Sequence, residues 1–284
     1  MLKTATDLRY TAMTALVSCA ALFVLLAFSW IIFEIVYNGL FQLSLDFIFS
    51  MPAKSGRQGG ISSIIVSTTL ILFICMSVCL PIGIGAAIFI CEYCRDANRW
   101  AHFFKRILDV LAAVPSIVFG LFGNAFFCIT LGMGYSLLAG GLTLACMVLP
   151  LMIRISEQSF SSVPSEYRRG AHALGISKSS SILKVLFPVA LPGIIVGFVL
   201  STGRAIAETA ALLFTSGYVD RMPESLLDSG RTLSIHIYDL AMNVPGGNKN
   251  AYTTSLVLIF LVLLINLISS FVMRRYMSNL ERSC

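Results

Sequence analysis

Six long apolar runs constrain the fold of this chain more than any other feature. A helix needs roughly 20 apolar residues to cross about 30 Å of hydrocarbon, and each run reaches that length. The composition agrees, because the chain is 57% hydrophobic and 12% charged, whereas a typical soluble domain is about 25% charged. We therefore predict an all-α polytopic membrane protein with six transmembrane helices. The runs cover residues 11–37, 61–91, 107–131, 135–155, 189–214 and 252–273.

The basic residues between the runs predict the orientation of the chain in the membrane. With the N-terminus inside, fourteen of them fall in cytoplasmic segments and five in outer segments, and Arg204 falls within a run. Cytoplasmic loops carry an excess of Lys and Arg, so both termini are predicted to be cytoplasmic. This bias explains most of the net charge of +6 and leaves little reason to expect a nucleic-acid partner. The fourteen are Lys3, Arg9, Arg95, Arg99, Lys105, Arg106, Arg154, Arg168, Arg169, Lys178, Lys184, Arg274, Arg275 and Arg282, and the five are Lys54, Arg57, Arg221, Arg231 and Lys249.

The third run contains a proline beside a serine, Pro115 and Ser116. Proline removes a backbone donor and frees a carbonyl. Inside a membrane, freed backbone groups are tolerated where neighbouring helices or a cavity satisfy them. The pair therefore predicts either a break that lines a transport pathway or an ordinary kink, and both interpretations stay open at this point.

A polar segment, residues 156–188, is the longest stretch assigned to the cytoplasm between two runs. Ser165 is a candidate N-cap, residues 166–174 are mostly compatible with a helix, and Gly175 is a candidate C′ residue. Residues 177–184 can begin a second helix. The segment predicts a small helical hairpin below the membrane, a shape that suits the docking of a partner.

The fifth run carries two charges, Arg204 and Glu208. An arginine in mid-membrane costs about 2.5–3.5 kcal/mol on insertion scales, so it should face protein or water. If the helix continues through both residues, they share one face with the small residues of the run. Two interpretations stay open: a structural ion pair that locks two helices, or an anion site in which Glu208 positions the guanidinium fork. The predicted face comprises Gly193, Gly197, Ser201, Arg204, Glu208 and Ala211.

The polar segment also resembles the loop of ABC-importer permeases that reads E-A-A, three residues, G, nine residues, I-x-L-P. Gly170 and Ala171 match the alanine positions loosely, Gly175 matches the glycine, and residues 185–188 match the end of the motif. Arg169 stands where the family has Glu, and Glu166 lies one turn earlier. The resemblance implies a loop that docks an ATPase through Glu166, Arg169, Gly170, Ala171, Leu174, Gly175 and Pro188.

Further segments are similar to the PstA-type permeases of bacterial phosphate ABC importers. They are residues 113–120, 203–210, 233–238 and 243–247. The resemblance implies the type I ABC-importer permease architecture, a multi-pass location in the bacterial inner membrane, and contact with membrane lipid. It implies three partners: a PstC-type permease, an ATP-binding cassette ATPase dimer, and a periplasmic or extracellular phosphate-binding protein. It also places Arg204 and Glu208 in the phosphate pathway, and we predict that Pro115 and Ser116 line the same pathway.

The sequence also predicts how the chain divides into segments and which activity belongs to a separate subunit. Residues 1–60 are predicted to form an N-terminal transmembrane helix and outer loop, and residues 61–284 the permease core with coupling loop 156–188. The chain has no G-x-x-x-x-G-K-[ST] motif, so ATP hydrolysis is expected on a separate subunit. No catalytic residue, metal site or cofactor is predicted. A permease for another anion or small solute and an ion-coupled secondary transporter remain alternatives, although the halves show no pairing of the kind such transporters have.

Overall fold

The structure is a computed structural model. It describes the backbone of residues 2–94 and 99–283 and the side chains of residues 10–94 and 102–275. The predicted cytoplasmic side chains of Lys3, Arg9, Arg95, Arg99 and Arg282 lie outside the described residues.

The described chain is helical apart from its connections and one small hairpin of strands β1 (Pro52–Ala53) and β2 (Gln58–Gly59). Three π-helical turns, Phe89–Tyr93, Asn124–Thr130 and Ile182–Leu186, adjoin longer helices. The helices are α1 (Leu2–Leu40), α2 (Leu45–Phe49), α3 (Ser62–Ile88), α4 (Arg99–Ala113), α5 (Ser116–Gly123), α6 (Leu137–Ser161), α7 (Ser165–Ala173), α8 (Lys178–Ser181), α9 (Phe187–Ile206), α10 (Ala210–Leu213), α11 (Leu233–Met242) and α12 (Asn248–Ser283).

Five helical stretches of the described chain are long and apolar enough to cross a membrane, and a sixth crossing requires a bent pair. The five are Tyr10–Leu40, Ser62–Tyr93, Leu137–Ser161, Lys178–Ile206 and Asn248–Arg275. The helical membrane fold is therefore confirmed, but two boundaries differ from prediction. Helix α6 continues to Ser161 and the next span begins at Lys178, so the connection is shorter than the predicted 156–188.

The third run does not form one straight span. His102–Ala113 and Ser116–Thr130 meet at an angle of 94°. Pro115 causes the break, because its φ of −60° and ψ of 142° are extended and it has no N–H to continue the helix. The third run is thus an amphipathic α4 and an apolar α5 at nearly right angles, and the single crossing expected from 107 to 131 stays a prediction.

The core centres on α6, which lies between α3 and α9. Leu144, Val148 and Met152 of α6 are fully buried. Glycines let the helices approach closely: a Cβ added at Gly141 would lie 2.6 Å from Ile74 Cγ2, and one added at Gly83 would lie 2.8 Å from Met152 Cγ. Small residues at helix contacts are typical of membrane bundles, where close packing replaces the hydrophobic driving force.

Charged contacts gather at the two ends of the bundle. At the end that carries α7, which we call the basic end, Glu157 binds Lys105 at 2.9 Å and Arg154 at 3.3 Å. At the opposite end, the hairpin end, Arg231 binds Asp239 at 3.0 Å. The predicted cytoplasmic and outer charges therefore lie at different ends, although the side of the membrane that each end faces stays a prediction.

Helix α1 lies at the periphery. Its most apolar window is 0% buried, and it packs on α12. Tyr252 Oη donates to Glu34 Oε1 at 2.7 Å, and a Cβ at Gly39 would meet Tyr252 O at 2.9 Å. Since nearly all of α1 is exposed and apolar, lipid is the environment that it requires.

Candidate functional site

The fifth run breaks between its two charged residues. Helix α9 ends at Ile206, and a separate short helix α10 begins at Ala210. Glu208 explains the break, because its Oε1 accepts a hydrogen bond from Ala211 N at 3.2 Å. A carboxylate at a helix N-terminus satisfies a free backbone donor and complements the helix dipole. Ser234 Oγ also donates to Glu208 O at 2.6 Å, which ties the break to α11.

The break divides the predicted face of small and charged residues: its first four members lie on α9, whereas Glu208 and Ala211 lie beyond the end of that helix. Gly193 and Gly197 pack against Ser159 and Ile155 of α6, and Ser201 is fully buried on the same side. Arg204 is exposed instead. The two charges also fall outside a common helix, and the described residues include no ion pair between Arg204 and Glu208. The glycines serve helix packing, whereas the Arg204 side chain stays exposed.

Arg204 lines a groove between α9 and α12. The groove has a volume of about 480 Å³, and its walls are Val199, Leu200, Gly203, Arg204, Val262, Asn266 and Ser270. The depth of Arg204 in the membrane can be estimated from the contact between α9 and α6. Gly193 of α9 packs against Ser159, which lies close to the charged cluster around Glu157 at the basic end. Arg204 lies eleven residues beyond Gly193, which is about 16 Å along a helix. An exposed guanidinium thus stands near the middle of about 30 Å of hydrocarbon.

The break at Pro115 is joined to the break at Glu208. Helices α5 and α10 pack together, and a Cβ at Gly120 would lie 2.8 Å from Ala211 Cα. Asn124 Nδ2 donates to Phe214 O at 2.7 Å and satisfies a carbonyl beyond α10. Pro115 itself is exposed and Ser116 is half-buried. The structure therefore places α5 next to the turn at Glu208. Arg204 lies elsewhere, in the groove between α9 and α12.

The predicted coupling loop contains helix α7, which ends at a glycine in the left-handed backbone region. Pro164, not Ser165, is the N-cap residue of α7, and the Ser165 hydroxyl instead lies 3.3 Å from Glu166 Oε1. Gly175 has a φ of +67°. Its N–H donates to His172 O at 3.0 Å, and the next N–H donates to Ala171 O at 3.1 Å. Bonds of this kind close a helix end around a residue in the left-handed region.

An apolar notch lies on the exposed side of α7. Leu174 at its rim is 78% exposed. Arg169 pairs with Glu166 at 2.7 Å on the same helix, and hydrogen bonds from the backbone N–H of Glu166 and from Arg169 lower the pKa of the Glu166 carboxyl. Pro188 lies apart, in the first turn of α9. The notch is lined by Glu166, Tyr167, Gly170, Ala171, Leu174, Ile176 and Val185.

Sequence reasoning missed the contact that fixes α7 to the bundle. Arg168 Nε donates to Glu92 Oε1 at 2.9 Å, and its other nitrogens donate to Val163 O and Phe160 O, both at 2.8 Å. Lys178 Nζ donates to Glu92 O at 2.6 Å and lies 4.1 Å from the centroid of a neighbouring aromatic ring. From the sequence, Arg168 could be recognised only as one of several basic residues in this segment. Its partner Glu92 lies 76 residues away, and no local pattern links the two.

Residues 79–281 match the model of one protein family, the binding-protein-dependent transport system inner membrane component. That range includes the groove, both breaks, α7 and the notch. The chain belongs to this family. It is therefore a multi-pass membrane protein of the binding-protein-dependent transport type, and the predicted resemblance to importer permeases is confirmed.

Relatives and solved structures agree with the family. This transport component is 34% identical over 248 residues to a probable ABC transporter permease protein, YqgI, of Bacillus subtilis, covering 82% of this chain and 84% of that protein. It is 30% identical over 261 residues to a phosphate transport system permease protein PstA of Pasteurella multocida, covering 92% of each. The fold matches a bacterial ABC transporter involved in alginate import with a TM-score of 0.62 at 14% identity, over 90% of this chain and 95% of that chain.

Proposed function

We propose that this chain is a permease subunit of an ATP-driven importer and that it forms part of the pathway for inorganic phosphate. The observation that carries the proposal is Arg204: an exposed guanidinium without an ion-pair partner among the described residues, near mid-membrane, on the wall of a polar groove. Relatives that carry the name phosphate transport system permease support the choice of substrate.

The chemistry of Arg204 suits a phosphate in transit. An unpaired anion entering a low-dielectric region is very costly, and a guanidinium offers a planar fork of donors that matches phosphate oxygens. A single cation at the surface of a groove, rather than a closed cage, permits release. Glu208 is committed to capping α10, so its role is to hold the broken segment that adjoins α5.

The partners follow from three surfaces. A second, PstC-type permease would cover the exposed side of α9, on which Val196 and Leu200 are exposed. An ATPase dimer would seat α7 through the notch, with ATP hydrolysis on that separate subunit. A phosphate-binding protein would dock at the hairpin end, which would face the outside of the bacterial inner membrane.

Transport by the reconstituted complex tests the proposal. The chain would be co-expressed with a second permease, the ATPase and the binding protein, and uptake of labelled phosphate into proteoliposomes would be measured with ATP inside. We expect uptake that needs ATP and all partners and that excess sulfate or molybdate does not inhibit. Efficient uptake of sulfate, molybdate or an amino acid in place of phosphate would contradict the substrate, and uptake without ATP would contradict the importer class.

A further inference from the structure

The wall opposite Arg204 is a row of polar residues on α12. Asn266 and Ser270 line the groove together with Val262. These residues are four apart, a spacing that places them on one face of a helix. The α12 span is otherwise strongly apolar, with a mean hydropathy of 2.8, so an amide and a hydroxyl on the groove-facing row are distinctive.

Neither polar group has a hydrogen-bond partner among the described residues. Near the start of α12, Thr254 and Ser255 bond the carbonyls four residues earlier at 2.7 and 2.8 Å. Ser270 makes no such bond in the described structure, although it lies on the same helix. Asn266 is half-buried and Ser270 is exposed. An amide or hydroxyl that meets an apolar medium without a partner costs free energy, so at this depth these groups require a ligand, water or another chain.

Asn266 lies at about the same depth as Arg204. Asn266 is eight residues before Arg274, which is about 12 Å along a helix, and Arg274 is predicted to mark the cytoplasmic boundary of the span. Arg204 stands about 16 Å from the charged cluster of the basic end. Two independent helices therefore bring a cation and an amide to one groove near mid-membrane, and the Ser270 hydroxyl lies on the same wall about 6 Å nearer the basic end.

We propose that Asn266 and Ser270 complete an intramembrane site for a protonated tetrahedral oxyanion, of which hydrogen phosphate is the example. The inference rests on the proposed function. Arg204 supplies positive charge and two donors. The Asn266 amide supplies N–H donors for the oxygens and a carbonyl that accepts from the acidic O–H of the anion, and the Ser270 hydroxyl does either. Such a ligand satisfies every free polar group of the groove.

The test compares phosphate uptake with ATP hydrolysis in the full reconstituted complex. In Asn266→Leu, the shape is roughly kept but the amide is lost, and hydrogen bonds to a charged ligand are strong enough that we expect about a tenfold loss of phosphate moved per ATP. Ser270→Ala should lower the same ratio a few-fold. The external phosphate concentration for half-maximal uptake should not change, because the binding protein sets it. Asn266→Gln, which keeps both amide functions, should recover part of the loss.

Ser269→Ala is the matched control. Ser269 is a buried neighbour, 9% exposed, that does not line the groove, and its loss should leave the ratio unchanged. A normal ratio in both Asn266→Leu and Ser270→Ala would overturn the inference. So would a loss confined to the amount of assembled complex, since the two side chains would then serve only assembly. If the wild-type complex does not take up phosphate, the proposed function fails first, and the two failures are thus distinguishable.

Discussion

Arg204 is the residue on which the proposed transport chemistry depends most. Arg204→Gln keeps a similar length and some donors but removes the charge. We expect phosphate uptake to be abolished in proteoliposomes while insertion and co-purification with the partners stay normal, because the side chain is exposed and bonds no described residue. Arg204→Lys keeps the charge without the fork and should retain partial uptake.

Exchanging the two charged residues distinguishes an anion-binding role of Arg204 from a purely structural ion pair with Glu208. A pair that only locks two helices would be restored by Arg204→Glu combined with Glu208→Arg. The structure predicts no recovery, because Glu208 accepts from Ala211 N at 3.2 Å and an arginine cannot accept that bond. Full uptake by the double variant, or normal uptake by Arg204→Gln, would contradict the anion role.

Because His236 is buried at the hairpin end, we predict that the stability of the protein depends on pH. Burial and, secondarily, the nearby Arg231 lower the pKa of His236 from 6.5 to about 3, while Asp239 opposes the shift. Because the folded state binds the proton less well than the unfolded state, stability falls as pH drops below about 6.5, by up to ~1.4 kcal/mol per pH unit. In detergent, the thermal midpoint of His236→Gln should decline less between pH 6.5 and 5 than that of the wild type. Equal declines would contradict the assignment.

At the scale of single elements, the stop of α7 should control the attachment of the ATPase. Gly175 has a φ of +67°, a region that costs a residue with a Cβ about 1–2 kcal/mol. Gly175→Val should therefore tilt or fray the end of α7, with reduced ATPase co-purification or uncoupled ATP hydrolysis. Asn tolerates this region better, so Gly175→Asn is the control and should bind the ATPase more nearly normally. Equal binding by both variants and the wild type would count against the docking role.

The contact between α7 and the π-helical turn Phe89–Tyr93, which follows α3, offers a second test at the scale of single elements. Arg168 has a side chain that is 15% exposed and paired with Glu92, whereas the neighbouring Arg169 is 73% exposed. Arg168→Gln would leave a nearly buried carboxylate without its charge partner, which is strongly destabilising. We expect Arg168→Gln to lower phosphate moved per ATP and Arg169→Gln to change it much less. Similar values for the two variants would show that α7 does not transmit force through Glu92.

Periodicity and local signals predicted the helices well and their interruptions poorly. Five of the six apolar runs correspond to helical stretches long enough to span a membrane, and Gly175 was identified as the C′ position because glycine is favoured there. The break at Glu208 was missed because a 3.6-residue period carries no sign that a carboxylate caps a new helix. The Glu92–Arg168 contact was missed because it joins distant segments. Asn266 and Ser270 could have been noticed as polar residues in the last run, but their proximity to Arg204 depends on packing.

For the whole molecule, the remaining prediction is its orientation, and the division into residues 1–60 and 61–284 likewise stays a prediction. Two exposed positions at opposite ends suit cysteine labelling: Leu174, which is 78% exposed, and Met242, which is 73% exposed. In a variant without the natural cysteines, Met242→Cys should react with a membrane-impermeant maleimide added outside intact spheroplasts. Leu174→Cys should react only after permeabilisation. The reverse pattern would invert the topology and exclude the proposed ATPase docking.

The peripheral position of α1 has a consequence for the time course of synthesis. Its packing partner α12 is the last helix of the chain, and about 200 residues lie between them. At roughly 5–20 residues per second, α1 spends about 10–40 s in the bilayer before that partner exists. During that time the helix must be stable alone among acyl chains, and the exposed apolar surface that covers most of it meets that requirement.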